Sequence, residues 1–399
     1  MPPTPAGTTT PSPGPTGTSP GTSPRASSTA LPTGTPGTSA GPSPPAGPSS
    51  TPDLGLLAGI RWARATAASE FEPGDTISDA IGMDSLLIAV GTSAVDGAAV
   101  WTSRDGLAWH RSQDFPDAPD STIDDITLGP AGVVAVGSAT TGRGLVPAVW
   151  ISTDGLAWQA VDDSDLAAGE MAAVAGGPAG YVALGTDIQT GDANVVWTSA
   201  DGRDWSSPQS ADAFGLQPSV SDVVRLPEMY LAFGARDEQA ALWISADGMA
   251  WDTAPDFPAL SGGVITAAAG SINRTVAVGA DYAADEPLAF VWSSTDGLSW
   301  LPATVGPEPP SGEMLAVLPV GDGFICVGEE GGGDRGGQAA VWASRDGLSW
   351  QRQPDDPSFA LARMTVILGA GTGLVVLGEA AIDISGEDFG PAVWVGVAG

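Results

Sequence analysis

A ten-residue box, V-W-x-S-x-D-G-x-x-W, occurs six times in this chain, with Leu242 replacing the first Val in one copy. The box Asp residues fall at 105, 154, 201, 247, 296 and 346, so successive copies lie 49, 47, 46, 49 and 50 residues apart. A near-constant period restricts the chain to an array of one supersecondary unit. Its length suits one blade of a β-propeller, about 40–50 residues in four short strands. Each box reads as a hairpin in which Val-Trp ends one strand, Asp-Gly turns the chain, and the last Trp lies on the return strand. The recurring turn residues are Ser103, Asp105, Gly106 and Trp109; Ser152, Asp154, Gly155 and Trp158; Ser199, Asp201, Gly202 and Trp205; Ser245, Asp247, Gly248 and Trp251; Ser294, Asp296, Gly297 and Trp300; and Ser344, Asp346, Gly347 and Trp350.

Two hairpin registers fit this turn. A two-residue Asp-Gly loop pairs Ser103 with Ala108 and puts the two Trp residues on opposite faces. A type I turn closed by a glycine bulge pairs Ser103 with Leu107 and sets Trp101 opposite Trp109. The second suits the residues better, because Ser, Asp and Gly then occupy the turn positions they prefer and Gly supplies the positive φ.

The rest of the unit recurs seven times. A Gly closes an apolar strand before each hairpin, at 91, 137, 185, 234, 279, 328 and 378, and a seventh Val-Trp pair ends in Trp394. No box comes after Trp394, but Arg61-Trp62-Ala63-Arg64 matches the end of the other boxes and the residues beyond it, such as Ala108-Trp109-His110-Arg111. The seventh hairpin is therefore split between the two ends of the domain, with Arg61–Arg64 expected beside Ala392–Val395. Closing the ring this way removes free sheet edges. The fold class expected is all-β: a seven-bladed β-propeller of four-stranded blades with split N- and C-terminal closure.

The segment S-x-D-G-x-x-W resembles the Asp-box of bacterial neuraminidase repeats, the hairpin of sialidase-like propellers, over residues 60–399. The family form has one more residue between Asp and Gly, so these boxes are variants. The resemblance implies that box Ser, Asp, Gly and Trp are structural, on the outer part of each blade and away from the central site. The Gly-His and Trp-Asp alternation of WD40 blades is absent.

Composition separates two zones. Residues 1–52 are almost entirely Pro, Thr, Ser, Gly and Ala, too poor in apolar side chains to offset the entropy of ordering. They read as a disordered linker or stalk before a propeller at 53–399. The start Met1-Pro2-Pro3-Thr4 has no basic, apolar export signal, and no run is long enough to span a bilayer. The stalk nonetheless resembles those of exported or surface-anchored bacterial proteins, and an extracellular or cell-surface location is expected. The net charge of −33, with no lysine, disfavours nucleic acid, whose affinity comes from Lys and Arg neutralising phosphates.

Few residues offer chemistry. Cys326 occupies the strand slot held elsewhere by Ala89, Ala135, Ala183, Ala232, Ala277 and Val376, so it reads as a buried small residue. His110 is the sole histidine, which excludes a multi-His zinc site and leaves little room for a Ser-His-Asp triad. Acidic crossings between blades, such as Ser112–Asp120 and Val161–Leu166, lack a D-x-D-x-D-G calcium loop and read as solvated. No metal and no cofactor is expected. Counting twelve residues back from each repeat Gly reaches Asp79, Asp125, Ala173, Asp222, Ala267, Ala316 and Val366 on the innermost strands. Asp79, Asp125 and Asp222 are the candidate channel residues. Their plainest role is to bond nearby backbone, although a carboxylate pair, or Glu170 or Glu313 on a crossing, could serve glycoside hydrolysis.

The resemblance to sialidases implies an Arg triad, a Tyr-Glu pair, an Asp acid/base and an early F-R-I-P-type segment. No Arg here precedes Ile-Pro, and Arg111, Arg143, Arg225, Arg236, Arg274 and Arg363 fall in different slots. Tyr181, Tyr230 and Tyr282 lie in or just after the second strands. The expected function is a non-catalytic, monomeric propeller that binds a glycan, peptide or protein through its loop face. A sialidase-like glycosidase and a scaffold or assembly factor are the alternatives.

Overall fold

The computed structural model describes residues 54–399 except for 66–68, 143, 163–165, 167–168, 188–191, 207–208, 211, 215–217, 255–256, 258–261, 284–285, 307–310, 332–336 and 383–387. The expected tail at 1–52 lies outside the described residues. The rest forms seven antiparallel blades around a central channel. Blade 1 runs outward from the channel through Thr76–Met83, Leu86–Ser93, Gly97–Ser103 and His110–Arg111. Blades 2 to 6 repeat this order, their innermost strands starting at Ser121, Glu170, Pro218, Gly263 and Glu313. Blade 7 takes Ala362–Ala370, Gly373–Ala381 and Phe389–Ala398 from the end of the chain and Ile60–Arg64 from its beginning.

The split hairpin thus closes the ring, with Ile60 opposite Ala398 and Arg64 opposite Trp394. The pairing sits a few residues nearer the C-terminus than expected. Its register is that of the other blades, where Trp101 opposes Arg111. Blade 6 gains a fifth strand: Thr304–Val305, from the crossing before it, pairs in parallel with Ser349–Arg352 and covers the outer edge.

The repeat glycines have a steric cause. Each innermost strand carries a one-residue bulge, as between Ile77 and Asp79 opposite Gly91 and Val90. The same irregularity recurs in all seven blades. The bulge pushes a carbonyl over the facing glycine. A Cβ at Gly91, Gly185 or Gly328 would stand 1.9 Å from the oxygen of Thr76, Glu170 or Glu313. Any side chain there would have to undo the bulge, which is the feature that re-aims residues into the channel.

The box hairpin differs from both expected registers. Ser344 opposes Trp350, and Ser199 opposes Trp205, so five residues rather than two or three make the loop. Side chains hold this wider turn. The Ser hydroxyl accepts the Gly N–H at 2.8–2.9 Å in every copy. It donates to the Asp Oδ1 at 2.9–3.3 Å. That oxygen also accepts the two amides after Gly, as in Leu107 and Ala108 at 2.9 and 3.1 Å. A turn template built on backbone bonds alone misses these side-chain acceptors. Trp101 still shares a face with Trp109, but diagonally. In four copies the box indole N–H donates back to the box Gly carbonyl at 3.1–3.3 Å. Trp109 and Trp350 lack this bond and their indole N–H is buried without an acceptor; the structure offers no reason for the difference.

The boxes also join blades. Box glycines hold φ between +68° and +79°, and each faces the preceding blade. A Cβ on Gly106, Gly155, Gly202 or Gly248 would stand 2.2–2.7 Å from Val375, Ile88, Val134 or Val182, on the second strand of that blade. Seven apolar clusters fill the ring, each combining residues of two adjacent blades. Cys326 belongs to one of them, fully buried, and burial raises its thiol pKa far above the ordinary range.

Candidate functional site

The boxes and the turns between first and second strands lie on one face, the box face. Innermost strands start on the opposite, front face, where the crossings arrive. A cavity of about 240 Å³ occupies the channel, lined by the bulge region of all seven innermost strands. Its wall is polar on one side, with Ser78, Asp79, Asp124, Asp125, Ser221 and Asp222 from blades 1, 2 and 4. The other side is Thr266, Leu315, Thr365 and small apolar residues.

Asp79, Asp125 and Asp222 each come directly after a bulge and face the cavity. An innermost strand presents a free edge to the channel, and its amides need acceptors. The carboxylates supply them. Asp125 is 8% exposed, and its two oxygens accept Ile126 N at 2.7 Å and Val174 N, on the next blade, at 2.5 Å. Asp222 accepts Val223 N at 2.5 Å, and Asp79 accepts Ala80 N and Ile126 N. Asp125 is also hydrogen-bonded to the carboxyls of both Asp79 and Asp222. Two ionised carboxylates repel at that range, so the group shares protons. Burial pushes Asp79 up to about 6 and Asp222 to about 7. Asp125 rises well above the usual range through burial and then the charges of Asp222 and Asp79. Asp124 is raised to about 6 by burial and by Glu170.

A second group was not foreseen. Glu170 and Glu313 are the first residues of innermost strands rather than parts of crossings. On the front face Arg363 of blade 7 pairs with Glu313 of blade 6 at 2.8 Å and approaches Glu329 at 3.4 Å. Tyr282, just after the second strand of blade 5, hydrogen-bonds Glu313. Burial, then the charge of Glu313, raises the phenol pKa. Glu313 and Arg363 hold the same repeat slot, fifteen residues before Gly328 and Gly378, but that slot holds Thr76, Thr122, Glu170, Ser219 and Val264 in the other blades and Tyr282 lies outside it, so repetition alone does not mark the group.

The group contains one arginine. Of the other arginines weighed for a triad, Arg225 lies over Tyr230, Arg274 bonds Ser293 Oγ at 2.9 Å, Arg236 reaches Thr253, and Arg111 pairs with Asp96. Arg143 lies outside the described residues. Tyr181 is buried, its hydroxyl donating to Gly132 O at 2.9 Å. His110 is exposed beside Glu70 at 3.3 Å. Among the described residues, no group of three His, Cys, Asp or Glu side chains is arranged to hold a metal ion, and no helix is long and apolar enough to cross a membrane.

The crossings are pinned rather than free. A Phe from the crossing before a blade inserts against the two Trp residues of that blade's hairpin. Phe71 packs on Trp101 and Trp109, Phe115 on Trp150 and Trp158, Phe214 on Trp243 and Trp251, and Phe257 on Trp292 and Trp300. Phe359 does the same with Trp62 of blade 7. Five of the seven crossings carry such a Phe, at variable spacing; the crossings at 161–169 and 303–312, before blades 3 and 6, carry no aromatic.

Seven four-stranded blades around a channel define a β-propeller. No protein-family model and no curated protein sequence matches the chain. Among solved structures it is similar to YCF48 bound to D1 peptide, with a TM-score of 0.54 and 14% identity over 87% of this chain and 99% of that one. It is also similar to the phage phi92 endosialidase, with a TM-score of 0.50 and 10% identity over 84% of this chain and 68% of that one. These likenesses concern the fold.

Proposed function

We propose that this chain is a non-catalytic propeller of the Asp-box kind that binds a peptide, protein or glycan on its front face, outside the cell or at its surface. One observation carries the reading. The channel carboxylates are occupied as acceptors for strand-edge amides and for one another, and the front-face arginine is held by two glutamates. Such groups shape and charge a surface without standing free as acid and nucleophile. Support for a peptide or protein partner comes from YCF48, whose solved structure holds the D1 peptide. A net charge of −33 favours neutral or basic partners over nucleic acid. A role as scaffold or assembly factor is the same property with a protein partner.

A glycoside hydrolase is the second reading, and one observation favours it: Tyr282, Glu313 and Arg363 meet on the front face beside Glu329, whose carboxyl burial raises above its usual range. The two separate by assay. The purified full chain is offered immobilised basic, neutral and acidic peptide libraries and a glycan array. Sialosides and aryl glycosides are supplied in parallel, with and without calcium. Saturable binding without turnover is the expected result. Turnover abolished by Asp125→Asn or Glu313→Gln would establish the hydrolase instead.

A further inference from the structure

The residue that leads from a crossing into an innermost strand holds a positive φ in five blades: Asp120, Gly169, Gly262, Gly312 and Leu361. Glycine suits this conformation and aspartate tolerates it, whereas a leucine is strained there, at φ +49°. Burial does not offset the strain, since Leu361 is 42% exposed. Its side chain lines a groove of about 520 Å³ on the front face, between blades 6 and 7, together with Glu330, Gly331, Gly337, Gln338 and Ala360. A Cβ on Gly331 would meet nothing within 4 Å, so the groove is open there. The charge along it is uneven. On its outer side Glu330 is neutralised by Arg352, which bonds both carboxylate oxygens at 2.9 Å. Toward the channel Arg363 meets Glu313 at 2.8 Å and Glu329 at 3.4 Å, and it lies opposite Glu379 in the strand register. One guanidinium there faces three carboxyls. Glu329 registers the surplus: burial raises its pKa, Arg363 opposes the rise, and the charges of Glu313 and Glu379 add to it. Tyr282, hydrogen-bonded to Glu313, is 45% exposed beside them.

We propose that this groove docks an extended peptide, one apolar residue of which packs on Leu361 while a Lys or Arg side chain enters the group of Glu313, Glu329 and Glu379 against the ring of Tyr282. The proposal rests on the peptide-binding reading above and gives that partner its place and its chemistry. A strained, exposed leucine at a position that geometry assigns to glycine is explained by a contact outside the chain. Charge complementarity fixes the rest. A cation from the partner balances the carboxyl surplus that one arginine leaves, and the face of an aromatic ring attracts the same cation. The apolar stem of a Lys or Arg side chain suits the tyrosine ring, with the charged head beyond it. An uncharged glycan would leave the surplus unbalanced and the leucine in water.

Selection from a displayed library of short randomised peptides on the full chain tests this. The selected peptides should be enriched in Lys or Arg next to an apolar residue, and replacing that Lys or Arg by Gln should weaken binding at least roughly tenfold. Glu379→Gln should weaken the same peptide and reduce the salt dependence of its binding. Leu361→Asn should also weaken it, while the melting temperature holds or rises, because asparagine enters the left-handed region more readily than leucine. Selected peptides without a basic preference, or unchanged affinity in either variant, overturn the inference and leave the binding reading in place. A Leu361→Asn chain that melts well below the parent makes the leucine structural and overturns it too. Selection of no peptide overturns the inference and, if the glycan array is also blank, the binding reading with it.

Discussion

At residue scale the box is a division of labour that single substitutions should separate. Trp205 is 3% exposed, and removing its ring leaves a cavity between two blades. Trp205→Ala should cost about 3–5 kcal/mol in denaturant unfolding. Gly202 holds φ +76°, and a Cβ there would meet Val134 Cγ2 at 2.7 Å. Gly202→Ala should therefore cost about 2 kcal/mol or more, combining a left-handed backbone with a clash at the joint. Asp201 accepts two amides near solvent, where water can replace it, so Asp201→Ala should cost about 1 kcal/mol. Equal losses at all three positions would contradict these separate roles. The identity of the box residues was plain in the sequence because they recur. The loop width was not, because it depends on which backbone groups the Ser and Asp oxygens reach.

At the scale of elements, repetition made the blades legible and concealed what is particular to each. The glycine slot and the split hairpin could be read by alignment of the chain with itself. Counting back also found Asp79, Asp125 and Asp222, since the bulge adds one residue in every blade and leaves the count uniform. Non-repeated features stayed hidden: the fifth strand of blade 6 and the meeting of Tyr282, Glu313 and Arg363 from three blades. Crossings and closing strands can each be tested by removal. Phe115 is only partly buried between Trp150 and Trp158. Phe115→Ala should cost about 2 kcal/mol, less than a box Trp, and should raise proteolysis in the crossing at 112–120. Truncation tests the closing elements. Deleting residues 1–52 should leave the melt unchanged, whereas deleting 1–66 removes Ile60–Arg64 and should open the ring. A 1–66 deletion that melts like the full chain would refute the closure.

At the scale of the whole molecule, two carboxylate populations set opposite limits on pH. The box Asp residues are held below the usual carboxylate range; amide hydrogen bonds are the chief lowering cause, and Asp296 reaches about 2. A depressed pKa gives stability that is present above the unfolded value and is lost as pH falls through the folded one. The channel residues act in reverse. Asp79 and Asp222 titrate near 6 and 7 when folded, so between the unfolded carboxylate value and that range the folded state binds more protons. Their stabilisation is lost as pH rises through the same window. Urea midpoints should therefore peak on the acid side of neutrality and fall toward both pH 3 and pH 8, roughly the limits of the two titrations. Asp125→Asn should flatten the neutral limb and leave the acid limb in place. An unaltered slope between pH 5 and pH 8 in that variant would rule out proton sharing in the channel, since that is the window in which raised carboxyls titrate.

One detail of the ring closure has a topological consequence. Gly399 N donates to Gly59 O at 3.0 Å, so the two places where the backbone meets the ring are hydrogen-bonded neighbours. Both lie on the box face, since Ile60 and Ala398 are the box-side ends of their strands. The ring behaves as a cassette with adjoining inlet and outlet. It can be threaded into a host loop without spreading the host, or re-cut at another turn such as Ser271–Arg274, with little change to its packing.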